Sequence, residues 1–274
     1  MRLAAVFAVA ALAVSTPALA DHHGEHSIEA VLAADVRADD RARDQYRHPA
    51  ETLAFFDVQP GMTVVDFMPS SGWYTRVLVP WLGEGGTYIG MNPNPEGGPA
   101  FARNMGGYDE ALPAMVREML GTEGATPIGT NIGSVPEEMH GTVDRFLIFR
   151  EIHNIRRFGW FHDMAVTAHA VLADDGLLGV VQHRAPADAP AEAVDGGRGY
   201  QREQDVIALF SAYGFELVAR SEINANPADP ADWPNGVWTL PPVYGGAGED
   251  AERRAELAAI GESDRMTLLF RKRP

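Results

Sequence analysis

The chain has 274 residues and no cysteine. Disulfides, thiolate metal sites and a cysteine nucleophile are therefore excluded. Positive charge is also scarce. Lys and Arg number 22 against 38 Asp and Glu, a formal net charge of -16, and no long basic cluster relieves it. A phosphate backbone needs a basic partner surface, so nucleic acid is not expected to bind, and an anionic membrane surface is disfavoured for the same reason. Neither a G-x-S-x-G elbow nor an H-E-x-x-H pair occurs. An α/β-hydrolase and a helix-borne zinc site thus have no support. Internal repeats are lacking too.

A long apolar run is missing everywhere except at the start. Arg2 precedes an apolar segment from Leu3 to Val14, followed by Ser15-Thr16-Pro17 and the small-residue site Ala18-Leu19-Ala20. This is the layout of a secretory signal peptide, and it is too short for a membrane span. Residues 1–20 are expected to be removed. The mature chain would then be periplasmic or secreted, with no membrane attachment. Its first residues, Asp21-His22-His23-Gly24-Glu25-His26, read as a mobile polar tail. A free amine, two backbone nitrogens and His23 could alternatively surround Cu(II) or Ni(II) in a plane.

At 46% hydrophobic and 22% charged, the remainder can bury an ordinary globular core. Residues 21–56 read as a tail and helices: Ser27 can cap a first helix, and Pro49 suits the start of a second that ends near Phe56. The charged stretch Arg37 to Asp44 reads as a solvated, salt-bridged face. From residue 57 to 274, strand and helix alternate. Strands are expected at Thr63–Asp66, Gly86–Met91, within Ala125–Ile132, and at Asp144–Phe149, Leu177–Gln182, Phe215–Ala219 and Arg265–Arg271. Helices are expected at Tyr108–Leu120, Phe161–Leu172 and Gln201–Tyr213, with another following the Pro69–Gly72 turn. This predicts a Rossmann-like, doubly wound α/β sheet of seven strands, mostly parallel, with the last one antiparallel. Residues 222–264, rich in Pro, Gly, Asn and Trp, read as a structure-poor insertion acting as a lid or binding loop, with Trp233 and Trp238 as an apolar wall.

The stretch TVVDFMPSSGWYTRVLVPW (63–81) is central: a strand, a small-residue turn and a helix, which aims backbone N–H groups beyond the strand's carboxyl end. Together with Arg47-His48-Pro49 and Glu51, Gly86-Thr87-Tyr88, Ile152-His153-Asn154, VVQHRA (180–185), Arg198-Gly199-Tyr200 and GESDRM (261–266), it resembles the class I S-adenosylmethionine-dependent methyltransferases. The likeness is greatest to an exported branch of predicted methyltransferases, and it covers most of the chain from about residue 40. The resemblance implies a cofactor, S-adenosylmethionine, held by Asp66, Pro69, Ser70, Ser71, Gly72 and Trp73, with Asn92 at the ribose position. It implies a small-molecule acceptor beyond the fourth strand, near His153 and Asn154. The family turn reads acid-x-Gly-x-Gly-x-Gly, whereas here Met68 and Ser70 replace the first two glycines. That departure predicts a different turn, or a ligand held less closely. Gln182 stands where an acid is expected.

His153, beyond a strand at the ligand-facing edge, is the candidate general base, because imidazole titrates near neutrality. Backbone bonding is its bland alternative. Tyr200 could close over the site or simply pack. His183 and Arg184 end the fifth strand on the same edge. They are candidate substrate ligands, Arg184 through its planar fork, with a structural pair to Asp264 as the alternative. Glu151 either orients His153 or pairs with Arg150 or Arg156. His162 and His169 share a helix face, but nothing completes a metal set around them. Besides a methyltransferase-like enzyme, the sequence admits a repurposed, non-catalytic binding protein on the same scaffold, or a periplasmic metal-handling protein. The acceptor and the oligomeric state have no signature in it.

Overall fold

The computed structural model describes residues 27–96 and 98–273. The expected leader and the histidine-rich start lie outside the described residues. The seven expected strands are β1 (Thr63–Phe67), β2 (Thr87–Asn92), β3 (Thr126–Asn131), β4 (Val143–Phe149), β5 (Leu172–Ala185), β7 (Phe215–Ser221) and β8 (Arg265–Lys272). An eighth, the two-residue β6 (Gln201–Arg202), pairs with the end of β5. The order is β3-β2-β1-β4-β5-β8-β7. β8 lies between β5 and β7 and runs antiparallel to both; the other pairings among the described residues are parallel. The doubly wound sheet with an antiparallel last strand is therefore present.

The helices are α1 (Ile28–Ala33), α2 (Asp44–Arg47), α3 (Pro49–Phe55), α4 (Thr75–Leu82), α5 (Tyr108–Leu120), α6 (Ile152–Arg157), α7 (Phe161–Val171), α8 (Glu203–Ala212) and α9 (Ala251–Ile260). Side chains alternate across a strand, and the core divides accordingly. Val65, Phe67, Phe146 and Ile148 pack with Ile155, Met164 and Phe210 on one face of the sheet. Val64, Tyr88, Leu147 and Phe149 pack with Leu53, Leu78 and Leu112 on the other. Each fully buried side chain of this kind is worth about 1.5–3 kcal/mol. Asp66 shares the parity of Val64, so the alternation that buries Val64 also turns the carboxyl toward Tyr88, Val64's partner on β2.

Three expectations need correction. The second helix expected over residues 27–56 is present as α3, but the first is short: 3-10 turns at 35–37 and 41–43 separate α1 from α2, and His48 in the left-handed region (φ 40°) separates α2 from α3. Ser27 does cap α1, accepting from the Ala30 N–H at 3.1 Å. Second, the charged stretch is not all solvated. Arg37 is fully buried, donating to Asp44 at 2.7 and 3.0 Å and to the Leu32 carbonyl at 3.0 Å. A guanidinium with several good acceptors can be drawn inward, and a linear reading of charge does not see those acceptors. Third, the insertion is not structure-poor. It contains α9, whose start is capped by Asp250 accepting from the Arg253 N–H at 3.0 Å, and it has its own apolar cluster around Leu240 and Leu257.

A candidate ligand site at the carboxyl edge of the sheet

The turn leaving β1 keeps the backbone that its side chains argue against. Met68 (φ 58°), Ser70 (φ 52°) and Gly72 (φ 75°) all lie in the left-handed region, at the three alternate positions where the family pattern has glycine. Only Gly adopts this region freely, and other residues cost about 1–2 kcal/mol there. At Gly72 crowding adds to the requirement, since a Cβ would lie 2.9 Å from Met119 Cε.

Asp66 is buried and accepts from the Tyr88 hydroxyl at 3.0 Å, which in turn lies 2.8 Å from Thr75 Oγ1. Burial pushes its carboxyl up to about 7, opposed by the Tyr88 hydrogen bond. Asp66, Met68, Ser70, Trp73, Arg150 and Glu151 border a hollow of about 30 Å³, of the order of one water molecule. Pro69 and Ser71 complete the turn around it. Tyr74 and Phe149, which also line it, stack with ring centroids 3.5 Å apart. A wider depression of about 880 Å³ lies near Val31, Pro60, Leu82 and Gly124. Those residues precede strands rather than follow them, and open α/β sheets bind ligands at the opposite end.

Beyond β4, Glu151 accepts from the Asn154 side chain at 2.8 Å. Asn154 is therefore engaged with the protein. Burial pushes Glu151 up to about 6, against the pull of the Asn154 hydrogen bond. The surface pairing expected for it is not found; Arg156 instead donates to Gln201.

His153 is buried, and Gln182 determines its form. The Gln182 oxygen accepts from the Ile152 N–H at 3.0 Å, and its nitrogen donates to the Gly199 carbonyl at 2.7 Å. That nitrogen also faces His153 Nδ1 at 3.4 Å. The amide orientation makes Nδ1 the acceptor, which leaves the proton of a neutral ring on Nε2. Burial lowers the His153 pKa to about 4, with the Gln182 bond acting the other way. So held, His153 offers an N–H rather than a lone pair from its outer nitrogen. This corrects its expected role as the base. The groups that titrate near neutrality are the carboxyls of Asp66 and Glu151.

His183 is buried beside it, ring centroids 5.8 Å apart. Its Nδ1 lies 2.5 Å from Ser263 Oγ, and burial, then Arg265, hold its pKa well below the ordinary value. Tyr200 is packed, with its hydroxyl donating to Asp229 at 2.9 Å; the catalytic role expected for it has no free group to rest on. Arg184 donates to Asp264 at 2.8 and 3.1 Å and to Glu222 at 2.9 and 2.7 Å. It is the structural pair weighed as the alternative, and its expected place as a substrate ligand is corrected. Asn92 ends β2 as expected, buried and beside Asn131 of β3. From the insertion, the Trp238 ring reaches to 5.9 Å from His153, so part of the expected wall is in place. Trp233 instead bonds Asp229 through Nε1 at 2.8 Å.

The sequence reading missed the cations. Two guanidinium groups lie over the Trp73 ring, with Arg47 Cζ at 4.5 Å and Arg37 Cζ at 5.0 Å from the ring centroid. Arg47 pairs through Nε with Glu262 at 3.3 Å, and Arg43 and Arg265 converge on the same carboxylate. Burial alone would raise Glu262, but Arg265, Arg47 and Arg43 hold it at about 2. Burial and the neighbouring Arg150 lower the pKa of Arg47. The only sequence signal was Arg47's place in a motif. Among the described residues, no group of three or more His, Asp or Glu is arranged to hold a metal ion.

No family model matches the chain, and no curated protein matches it. Solved structures do. An S-adenosylmethionine-dependent methyltransferase from Aquifex aeolicus aligns at 17% identity with a TM-score of 0.50, covering 72% of this chain and 93% of that one. The complex between the Haloferax volcanii Trm112 methyltransferase activator and its methyltransferase aligns at 15% identity with a TM-score of 0.52, covering 90% and 98%. The order of the strands, the antiparallel β8 and these alignments agree, and the chain has the fold of the S-adenosylmethionine-dependent methyltransferases.

Proposed function

We propose that the protein transfers a methyl group from S-adenosylmethionine to a small molecule bound at the carboxyl edge of the sheet. The observation that carries this reading is the β1 turn, where Met68 and Ser70 hold the left-handed backbone otherwise given to glycine. Strain of this kind persists where the surroundings require the conformation, as ligand-holding turns do. The cofactor's methionine end would lie against residues 66–73, and Asn92 would face the ribose. The cofactor supplies an electrophilic methyl group, so the protein's work is mainly positioning and exclusion of water. His153 would donate its Nε2–H to the acceptor. Glu151, with a pKa near 6, would take a proton where the acceptor arrives protonated.

The hollow of about 30 Å³ is far below the roughly 300–1,000 Å³ of small-molecule pockets. The adenosyl group therefore does not fit with the side chains as they stand, and Met68 must swing aside to admit it. That same volume favours a second reading, a ligand-binding protein that keeps the scaffold and no longer takes the cofactor. Calorimetry with S-adenosylmethionine and its demethylated product separates the two. The first reading expects binding by the wild type and tighter binding by Met68→Gly. Folded protein that takes up neither compound at millimolar concentration, in either form, ends it.

A further inference from the structure

A chain with a net charge of -16 gathers an excess of buried positive charge at one point. Arg43, Arg47 and Arg265 share the single carboxylate of Glu262. Arg150 is close enough to Arg47 to depress its basicity, and burial, then Arg265, depresses that of Arg150. Two acids act on Arg150: burial raises Asp66 to about 7, which leaves it half neutral at neutral pH, and Glu151 to about 6, which leaves it mostly charged. Buried charge is costly unless it is paired and hydrogen-bonded, and here much of it is not. Both terminal nitrogens of Arg47, Nε of Arg150, Nε of Arg265 and the indole Nε1 of Trp73 are buried without a hydrogen-bond partner. Arg47 and Arg265 are each 2% exposed and Trp73 is 5% exposed. All of these atoms are donors. A set of orphaned donors around an excess of cations calls for an acceptor with negative charge.

The shape of the set narrows the ligand. Arg47 spends Nε on Glu262 and leaves the Nη1/Nη2 end of its fork open, the edge that receives the two oxygens of a planar anion. Trp73 and Arg150 border the hollow beside the β1 turn, and Arg47 covers the Trp73 ring. A volume of about 30 Å³ suits the end group of a ligand, not a whole molecule. We propose that Arg47, Arg150 and the Trp73 N–H form a carboxylate subsite. Each open donor of Arg47 and Trp73 gains an acceptor, and the bound carboxylate offsets the excess of buried guanidinium. Arg184, on the same edge, has no such vacancy because Asp264 and Glu222 occupy it.

The carboxylate can belong to the amino-acid end of S-adenosylmethionine or to the acceptor, and the subsite does not depend on the methyltransferase reading. The probe is formate, with formamide as its neutral counterpart. The readout is the Trp73 indole N–H resonance in a proton–nitrogen correlation spectrum, assigned through Trp73→Phe. We expect a saturable shift with formate and none with formamide, with affinity at least about tenfold weaker in Arg47→Gln and in Arg150→Gln, since each removes one charged donor. Two variants are used because Arg47→Gln also loses its Glu262 pair. An unmoved Trp73 signal, or equal shifts with formate and formamide, overturns the proposal. So does unchanged formate affinity in both variants. Decarboxylated S-adenosylmethionine then identifies the source. Binding about tenfold or more weaker than the parent assigns the carboxylate to the cofactor; equal binding, with formate still taken up by the cofactor complex, assigns it to the acceptor. Formate binding without any cofactor binding keeps the subsite and removes the methyltransferase reading.

Discussion

Two arginine clusters lie at the same edge of the sheet and differ in one respect. Around Arg184 every charged donor seen has a carboxylate, and the Arg184 side chain is about a fifth exposed, so water finishes the job. Around Arg47 three guanidinium groups share one carboxylate, Glu262, Arg150 stands close by with Glu151 beside it, and several donors have no partner. The first cluster ties the end of β5 to the start of β8 and to the insertion. The second also ties, joining residues 43–47 to the start of β8 through Glu262 and the Tyr46 carbonyl, but it leaves donors over. The comparison separates a cation that holds the fold from a cation that is kept open for something else.

Breaking the buried cluster should have the largest effect. Glu262→Gln removes the carboxylate shared by Arg43, Arg47 and Arg265, and should destabilise the protein by about 3–5 kcal/mol, the usual cost of orphaning a buried charge. A urea denaturation midpoint measures it. A loss below about 1 kcal/mol would mean the guanidinium groups are already hydrated, and the contrast with Arg184 would collapse.

The next effect is a pH dependence. Asp66 titrates at about 7 when folded and near 3.9 when unfolded. Between those values the native state holds more protons than the unfolded state, so this group makes stability fall as pH rises from about 4 to about 7, then level off. Asp66→Asn removes the trend and can still accept from Tyr88. Its stability relative to wild type should therefore grow across that window by a few kcal/mol, at most about 4. Midpoints for the two proteins that run parallel from pH 4 to 8 would show that the carboxyl is not desolvated as described. His153, lowered to about 4, acts in the other direction: its contribution is lost as pH falls from about 6.5 toward 4, in both proteins alike.

The smallest effect belongs to the satisfied cluster. Arg184→Gln should cost only about 1 kcal/mol, because its partners are partly exposed and Asp264 keeps the Asn226 N–H at 2.7 Å. It should leave the formate response of Trp73 untouched. A change in that response would mean that the two clusters are one.

The fold was legible because its signals are local. Apolar runs such as Phe146–Phe149, and the Gly and Pro that bound them, fall in register with the strands. The spacing of Leu112 and Val116 marks α5. The misses have a common cause. Arg37 reads as solvent-facing until Asp44 and the Leu32 carbonyl fold back on it. The turn reads as degraded because two glycines are gone, yet Met68 and Ser70 take the left-handed region that glycine favours. Among the candidate residues, Asp66, Gly72, Asn92 and His153 do lie at the carboxyl edge of the sheet. The roles of His153, Tyr200 and Arg184 were not readable, since each depends on a partner: Gln182, Asp229 and the pair Asp264 and Glu222.

The sequence by itself determined the alternation of strand and helix, the hydrophobic faces and the position of the β1 turn, because these follow from periodicity and from the short-range preferences of Gly and Pro. Only the tertiary structure decided which polar groups are satisfied. Arg47 and Glu262 are 215 positions apart, and no local pattern records whether two such residues meet, or which of their hydrogen bonds are left open when they do.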